Sequence, residues 1–306
     1  MALGSLIYGK GPSGFGYGST AVEVTEGIDL AGKTILVTGC NAGLGLETVR
    51  VLAMRGARVL ATGRTEEKAR SAVADLAGDI VPLACELSNP ASVRACIEAV
   101  KKDGHPIDVL LCNAGIMALP KLEQAFGYEL QFFTNHIGHF ILVTGLLDQL
   151  TKDGRVVMLS SEAHKGAPKE GIQLDNLSGE KGYTPWKAYG QSKLANILFA
   201  KELTKRLAGS GRTANALHPG VIKTNLVRSM PKIAQVAMSV GSALFLKTIP
   251  QGAATQCYVA TNPKIAGVSG EYFVDSNIGR STPISHDAGL AKRLWEESEK
   301  IVANLG

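Results

Sequence analysis

The chain has 306 residues, is 45% hydrophobic and 19% charged, and carries a net charge of +5 at pH 7. That apolar content suits one large α/β domain with a buried core and rules out wholesale disorder. The 35 glycines follow no three-residue period, which excludes a collagen. Lysines and arginines are scattered among acids rather than gathered in a stripe, which argues against nucleic acid as a partner.

Residues 1–27 are glycine-rich at their start and poorly periodic, so they read as a flexible or surface-wrapped extension without the pattern of a secretory signal. Residues 28–306 read as one domain. Short β-branched runs predict strands at 34–37, 58–61, 80–83, 108–111, 156–159, 213–217 and 271–274. Helices are predicted between them at 44–55, 66–76, 92–101, 122–150 and 186–207, and the Lys/Glu-rich stretch 292–300 reads as solvated helix surface. Continuous apolar strands alternating with helices predict an α/β fold: a doubly wound parallel sheet of about seven strands, covered on both faces. Ligands of such sheets bind beyond the carboxyl ends of the strands. The longest uncharged apolar run, 233–246, has 14 residues. As a helix it would rise about 21 Å, short of the ~30 Å hydrocarbon layer, so no transmembrane span is expected. Cys40, Cys85, Cys96, Cys112 and Cys257 form no Cys-x-x-Cys pair. This suits a reducing, cytoplasmic setting rather than a disulfide framework or a zinc site.

The turn after the first strand reads Thr38-Gly39-Cys40-Asn41-Ala42-Gly43-Leu44-Gly45. Three glycines between strand and helix permit a tight turn and close approach of backbone to a pyrophosphate, which the helix N-terminus then attracts. The second strand ends Thr62-Gly63-Arg64-Thr65. It lacks the carboxylate that would hold a ribose 2′-hydroxyl, while Arg64 can pair with a 2′-phosphate, so the expected cofactor is NADP(H). Otherwise Arg64 is a plain surface residue. Tyr189-Gly190-Gln191-Ser192-Lys193 sets a phenol and an ammonium one helical turn apart. A nearby cation lowers a phenol pKa toward the working range. Ser160-Ser161 ends one strand, Cys112-Asn113-Ala114-Gly115 another, and Pro219-Gly220-Val221-Ile222-Lys223-Thr224 follows a third. Asn135 opens Asn-His-Ile-Gly-His-Phe.

With these motifs in this order, residues 28–275 resemble the short-chain dehydrogenase/reductase superfamily. Asp175-Asn176-Leu177-Ser178-Gly179-Glu180-Lys181, Ser192-Lys193-Leu194-Ala195-Asn196 and His218-Pro219-Gly220 look like its retinol dehydrogenase-like branch. That branch is also similar to the WW-domain oxidoreductases and the chloroplast-translocon-associated dehydrogenases. The resemblance implies a single Rossmann-type domain and a set of roles. Tyr189 would be acid or base, and Lys193 would hold the nicotinamide ribose and depress the Tyr189 pKa. Ser161, the second of the pair, would orient the carbonyl oxygen, and Asn135 would support a water-mediated proton relay. Gly39, Asn41, Gly43, Leu44, Gly45, Arg64, Glu86, Leu87, Asn113, Ala114 and Gly115 would line the cofactor, and Pro219, Gly220, Ile222 and Thr224 its carboxamide end. Glu86 stands where the family has Asp, and Cys112 where it has Asn.

Residues 164–184 form an insertion beside the catalytic strand. His136 and His139 read as packing or hydrogen-bonding residues, with no metal expected. Residues 225–249, Met-rich and apolar, stand where the fold carries a substrate lid. They suit a lipophilic carbonyl or alcohol, retinal-like, steroid-like or an aromatic ketone. A helix fixed on the core, or a face resting on a membrane, are the other readings of this segment. The expected activity is NADP(H)-dependent carbonyl–alcohol interconversion. The alternatives are a nucleotide-sensing scaffold and a C=C reductase. A homo-oligomer is compatible with the sequence.

Overall fold

A computed structural model describes residues 9–222 and 246–305. Its centre is an eight-stranded sheet in the order β3-β2-β1-β4-β7-β8-β9-β10. The strands are β1 (Thr34–Val37), β2 (Arg58–Gly63), β3 (Ile80–Ala84), β4 (Ile107–Cys112), β7 (Leu150–Leu159), β8 (Thr213–His218), β9 (Tyr272–Val274) and β10 (Asn277–Ile278). All neighbours are parallel except β9 and β10. The eighth, antiparallel strand adds to the expected seven. It is two residues long, too short to leave a period in the sequence. Pro82 is tolerated because β3 lies at the sheet edge, where a missing N–H costs no ladder bond.

Every residue of β1 and β8 is buried, because helices cover both faces. One layer holds α2 (Gly43–Met54) and α8 (Ile249–Thr261); the other holds α4 (Pro90–Asp103), α6 (Gly138–Leu146), α7 (Pro185–Arg206) and α9 (Ala288–Ala303). α1 (Ala21–Val24) and α3 (Glu66–Val73) are shorter and capped by Thr20 and Thr65. The crevice opens between β1 and β4, where the chain's strand order reverses.

Two expectations are corrected. The single helix expected at 122–150 is instead a hairpin, β5 (Gln124–Ala125) and β6 (Tyr128–Glu129), then α5 (Leu130–Phe132), a π-helical stretch Phe133–Ile137, and α6. Phe126 and Gly127 both have positive φ, 53° and 82°, and that turn breaks the apolar periodicity that had suggested one helix. The stretch 292–300 is not wholly solvated. Leu294, Trp295 and Ser298 are buried, with the Trp295 ring stacked 5.4 Å from Phe199 and covered by the Arg206 guanidinium at 4.1 Å.

Of the N-terminal extension, residues 9–27 lie along the body. Phe15 meets Tyr258 edge to face at 5.8 Å, the Ser13 amide donates to Asn277, and Arg55 donates to the Val22 carbonyl at 2.9 Å.

Candidate active site

The turn from β1 into α2 is shaped by close approach. A Cβ on Gly39, whose φ is +74°, would lie 2.8 Å from the Ala114 Cβ, and one on Gly45 would lie 2.1 Å from the Gly39 carbonyl oxygen. Only glycine fits either place. Ala42, at the N-cap of α2, supplies no side-chain cap. The first-turn N–H groups are therefore left for an anion, which fits a cofactor pyrophosphate. Asn113 staples the end of β4 to this turn, its Nδ2 donating to the Thr38 carbonyl at 2.8 Å and its Oδ1 accepting from Gln256 at 3.2 Å. The Asn41 Oδ1 lies 2.7 Å from where a Cβ on Gly63 would be, so the end of β2 is packed against the turn. Arg64, next along, is exposed. Glu86 accepts from the Ser88 hydroxyl at 2.9 Å, which folds its carboxylate back on its own loop. Leu87 is buried under α6, where Gly138 leaves room for the Leu87 carbonyl.

Beyond β8, Gly220 has φ +97°, and a Cβ there would meet the Lys247 side chain at 2.5 Å. Ile222 packs against Gly252 and Leu44 and bridges Lys247. Lys247 is buried and paired with Asp275 at 2.5 Å; nothing near it in sequence marks that partner. Thr224 and residues 225–245 of the expected lid lie outside the described residues.

Tyr189 and Lys193 lie one turn apart on α7, with the Lys193 Nζ 5.7 Å from the Tyr189 ring centre. Both are buried. Lys193 donates to the Leu159 carbonyl at 3.1 Å, and Asn196 donates to the same oxygen at 2.9 Å. Burial disfavours charge, so it acts oppositely on the two groups. It pulls Lys193 down to about 8. It pushes Tyr189 up to about 12, against a smaller downward pull from its Ser161 hydrogen bond. The direction is opposite to the depression expected from Lys193, because desolvation of the buried phenolate is the largest influence on it.

The serine pair is divided by its hydrogen bonds. The Ser160 hydroxyl donates to the Lys193 carbonyl at 2.7 Å, tying β7 to α7. Ser161 begins the short helix Glu162–Gly166, accepts from the Ala163 N–H at 3.2 Å, and is the serine whose hydroxyl pulls the Tyr189 pKa down. That helix can approach because Gly190 has no side chain; a Cβ there would lie 2.6 Å from the Ala163 carbonyl oxygen. The insertion closes the same region. Gln173 donates its backbone N–H to Gln191 at 2.9 Å, and the Tyr183 hydroxyl donates to the Leu119 carbonyl at 2.6 Å.

Asn135 lies within the π-helical stretch, where the Gly138 N–H donates to Phe133 five residues back. π-helical turns of this kind recur at functional sites. The Asn135 side chain accepts from the Ile116 N–H at 2.8 Å and donates to the Ile116 carbonyl and the Ser192 hydroxyl, each at 2.9 Å. The Asn135 backbone carbonyl is 3.0 Å from the Nδ1 of His139, whose Nε2 is 2.9 Å from the Thr38 hydroxyl. A carbonyl only accepts, so Nδ1 carries the proton and Nε2 accepts from Thr38. Thr38 in turn accepts from the Ala114 N–H at 3.0 Å. Burial holds His139 neutral, its pKa drawn down to about 4.

Sequence reasoning passed over His139 as a site residue, although it follows Asn135 by one helical turn and so had to face the same way. His136 faces elsewhere, its Nε2 2.9 Å from the Ser298 hydroxyl of α9. Among the described residues no three His, Cys, Asp or Glu side chains form a metal cluster.

Residues 33–234 match the family model described as short chain dehydrogenase. The chain is 40% identical to the chloroplastic short-chain dehydrogenase TIC 32 B of Brassica napus, over all of both chains. It is 36% identical to human retinol dehydrogenase 14, over 90% of this chain and 87% of that protein. Among solved structures, an uncharacterized protein from Mycobacterium Paratuberculosis superposes with a TM-score of 0.76 at 34% identity, covering 92% of this chain and 97% of that one.

Proposed function

The chain belongs to the short-chain dehydrogenase family, oxidoreductases that work with a nicotinamide cofactor, and from that premise we propose that it interconverts a lipophilic carbonyl compound and its alcohol with NADP(H). The observation that carries this reading is the placement of buried Tyr189 and Lys193 one turn apart on α7, with half-buried Ser161 beside the phenol and buried Asn135 bonded to Ser192 of the same helix.

In reduction the Tyr189 hydroxyl gives its proton to the carbonyl oxygen while Ser161 donates a hydrogen bond to that oxygen. A nicotinamide held in the groove would supply the hydride, a hydrogen nucleus with two electrons, that the carbonyl carbon takes up. Lys193, charged below about pH 8, faces the phenolate that remains and holds the cofactor ribose. Asn135, fixed on both sides by Ile116 and Ser192, supports return of a proton through water toward Lys193. A phenol held near 12 is protonated at neutral pH, the state in which it can act as the acid of the reduction.

Gly39, Asn41, Gly43, Leu44 and Gly45 would cradle the phosphates, and Asn113, Ala114 and Gly115 would back the nicotinamide-side ribose. Pro219, Gly220 and Ile222, with Thr224, would meet the carboxamide. Arg64 supports the choice of NADP(H): it is exposed and directly follows Gly63, which packs against Asn41 of the phosphate turn. Glu86 uses one carboxylate oxygen, Oε1, on Ser88, and its other oxygen would be the one to accept from an adenine amine.

The apolar composition of 225–249 supports a lipophilic substrate, as does likeness to a protein named retinol dehydrogenase. Among the described residues no helix is long and apolar enough to cross a membrane. Five free, buried cysteines suit any reducing compartment, the expected cytoplasm or an organelle such as the one in the Brassica relative's name.

The test is NADPH and NADH consumption by purified protein across retinal, steroid, aliphatic and aromatic carbonyls. NADPH turnover on a bulky apolar member supports the proposal. Tight NADPH binding with no turnover favours a nucleotide-sensing scaffold, and a saturated carbonyl product from an enone favours C=C reduction.

A further inference from the structure

α7 opens with Pro185, so Trp186 stands in the first turn and Tyr189 follows it by three residues on the same side of the helix. Their rings meet edge to face, 6.1 Å between centres and 79° between planes. The two differ sharply in exposure: Tyr189 is 9% exposed and Trp186 is 50% exposed. The other tryptophan, Trp295, is 5% exposed and packed between Phe199 and Phe140.

Among the described residues the remaining exposed aromatic, Phe126, is on the β5–β6 turn and stacks on Phe133. Exposed Met54 ends α2, far along that helix from the phosphate turn, and exposed Ile278 is on the edge strand β10. Trp186 is thus the exposed aromatic in ring contact with the proposed acid, and nothing in the fold's own packing requires an indole there.

We propose that Trp186 is the specificity-determining wall of the substrate cleft, receiving a flat unsaturated group bonded directly to the reacting carbonyl. An indole face favours flat π groups, which pack against it offset or edge to face. A group resting on Trp186 lies one ring's width from Tyr189. A carbonyl conjugated to that group then falls beside the phenol, whereas a short aliphatic carbonyl gains nothing from the indole. The substrate class so selected is aromatic or conjugated aldehydes and ketones. This inference deepens the carbonyl–alcohol reading of the same site and rests on it.

The test compares the wild type, Trp186→Ala and Trp186→Phe with NADPH on 2-naphthaldehyde and on hexanal, and measures 2-naphthaldehyde binding to the NADP+ complex by calorimetry. For Trp186→Ala the expected result is a KM for 2-naphthaldehyde raised about tenfold. Its kcat should stay within about twofold, and KM for hexanal and the Kd of NADPH should not change. Trp186→Phe keeps a flat ring and should restore most of the affinity. Equal changes for both aldehydes, or none for either, overturn the wall while leaving the reaction standing. If the wild type turns over neither aldehyde, the reaction itself fails, and calorimetry decides the wall separately. A tenfold loss of binding in the alanine variant, recovered in the phenylalanine variant, supports it. Equal affinities, or no binding by the wild type, overturn it.

Discussion

The two ends of the cofactor groove are built differently. At the end that holds Tyr189, four buried polar side chains are tied to other elements: Lys193 and Asn196 to Leu159, Asn135 to Ile116 and Ser192, His139 to Asn135 and Thr38. At the other end Arg64 stands in solvent, and Glu86 is turned onto Ser88. Buried polar groups must be satisfied, so the first end is rigid and a substitution there is felt in both stability and chemistry. An exposed arginine carries no such obligation. The nucleotide selectivity proposed for Arg64 would therefore change there without disturbing the fold.

Four outcomes would sharpen or break that contrast. Tyr189→Phe keeps the packing and removes the proton, so turnover should fall about a thousandfold, within the range for general acid catalysis. NADPH affinity should hold within about twofold; steady-state rates with fluorescence titration check both, and unchanged turnover breaks the assignment. Arg64→Ala should weaken NADPH by about ten- to a hundredfold, the worth of a charge-assisted phosphate contact, with NADH and the urea midpoint unmoved. Equal losses for both nucleotides would remove the basis for NADP(H).

His139→Leu strands the Thr38 hydroxyl and the Asn135 carbonyl and should cost about 1–3 kcal/mol in urea unfolding, with His139→Gln milder. The wild type should also show a pH signature. His139 binds its proton near 6.5 when unfolded and near 4 when folded. Its stabilising contribution is therefore full above about 6.5 and declines as pH falls toward 4. The leucine variant should lack that part of the acid sensitivity. The smallest effect expected is on cofactor binding at alkaline pH. Lys193 loses its charge above about pH 8, so the Kd of NADPH should rise a few-fold between pH 7.5 and pH 9, roughly tracking that titration. A flat profile would show that the ammonium does not hold the ribose.

Much of this was legible in the chain. The strands of the sheet stood out because parallel, doubly covered strands are continuous apolar runs. The glycines at 39 and 45 stood out because a strand–turn–helix with backbone contact admits nothing larger. The hairpin at Phe126-Gly127 was missed because its strands are two residues each. The burial of α9 was missed because Lys and Glu on its outer face masked Leu294, Trp295 and Ser298 on the inner one.

The sequence by itself determined the order of the motifs, the spacing of Tyr189 and Lys193 on one face of one helix, and the glycine-lined turn. All are relations between near neighbours in the chain, governed by local periodicity and φ. Only the tertiary structure decided that Ser160 is tied to the Lys193 carbonyl, that burial moves the Tyr189 pKa up rather than down, and that His139 joins the phosphate turn to Asn135. Those outcomes depend on desolvation and on hydrogen-bond partners as far apart as Thr38 and His139, which only the folded packing brings together.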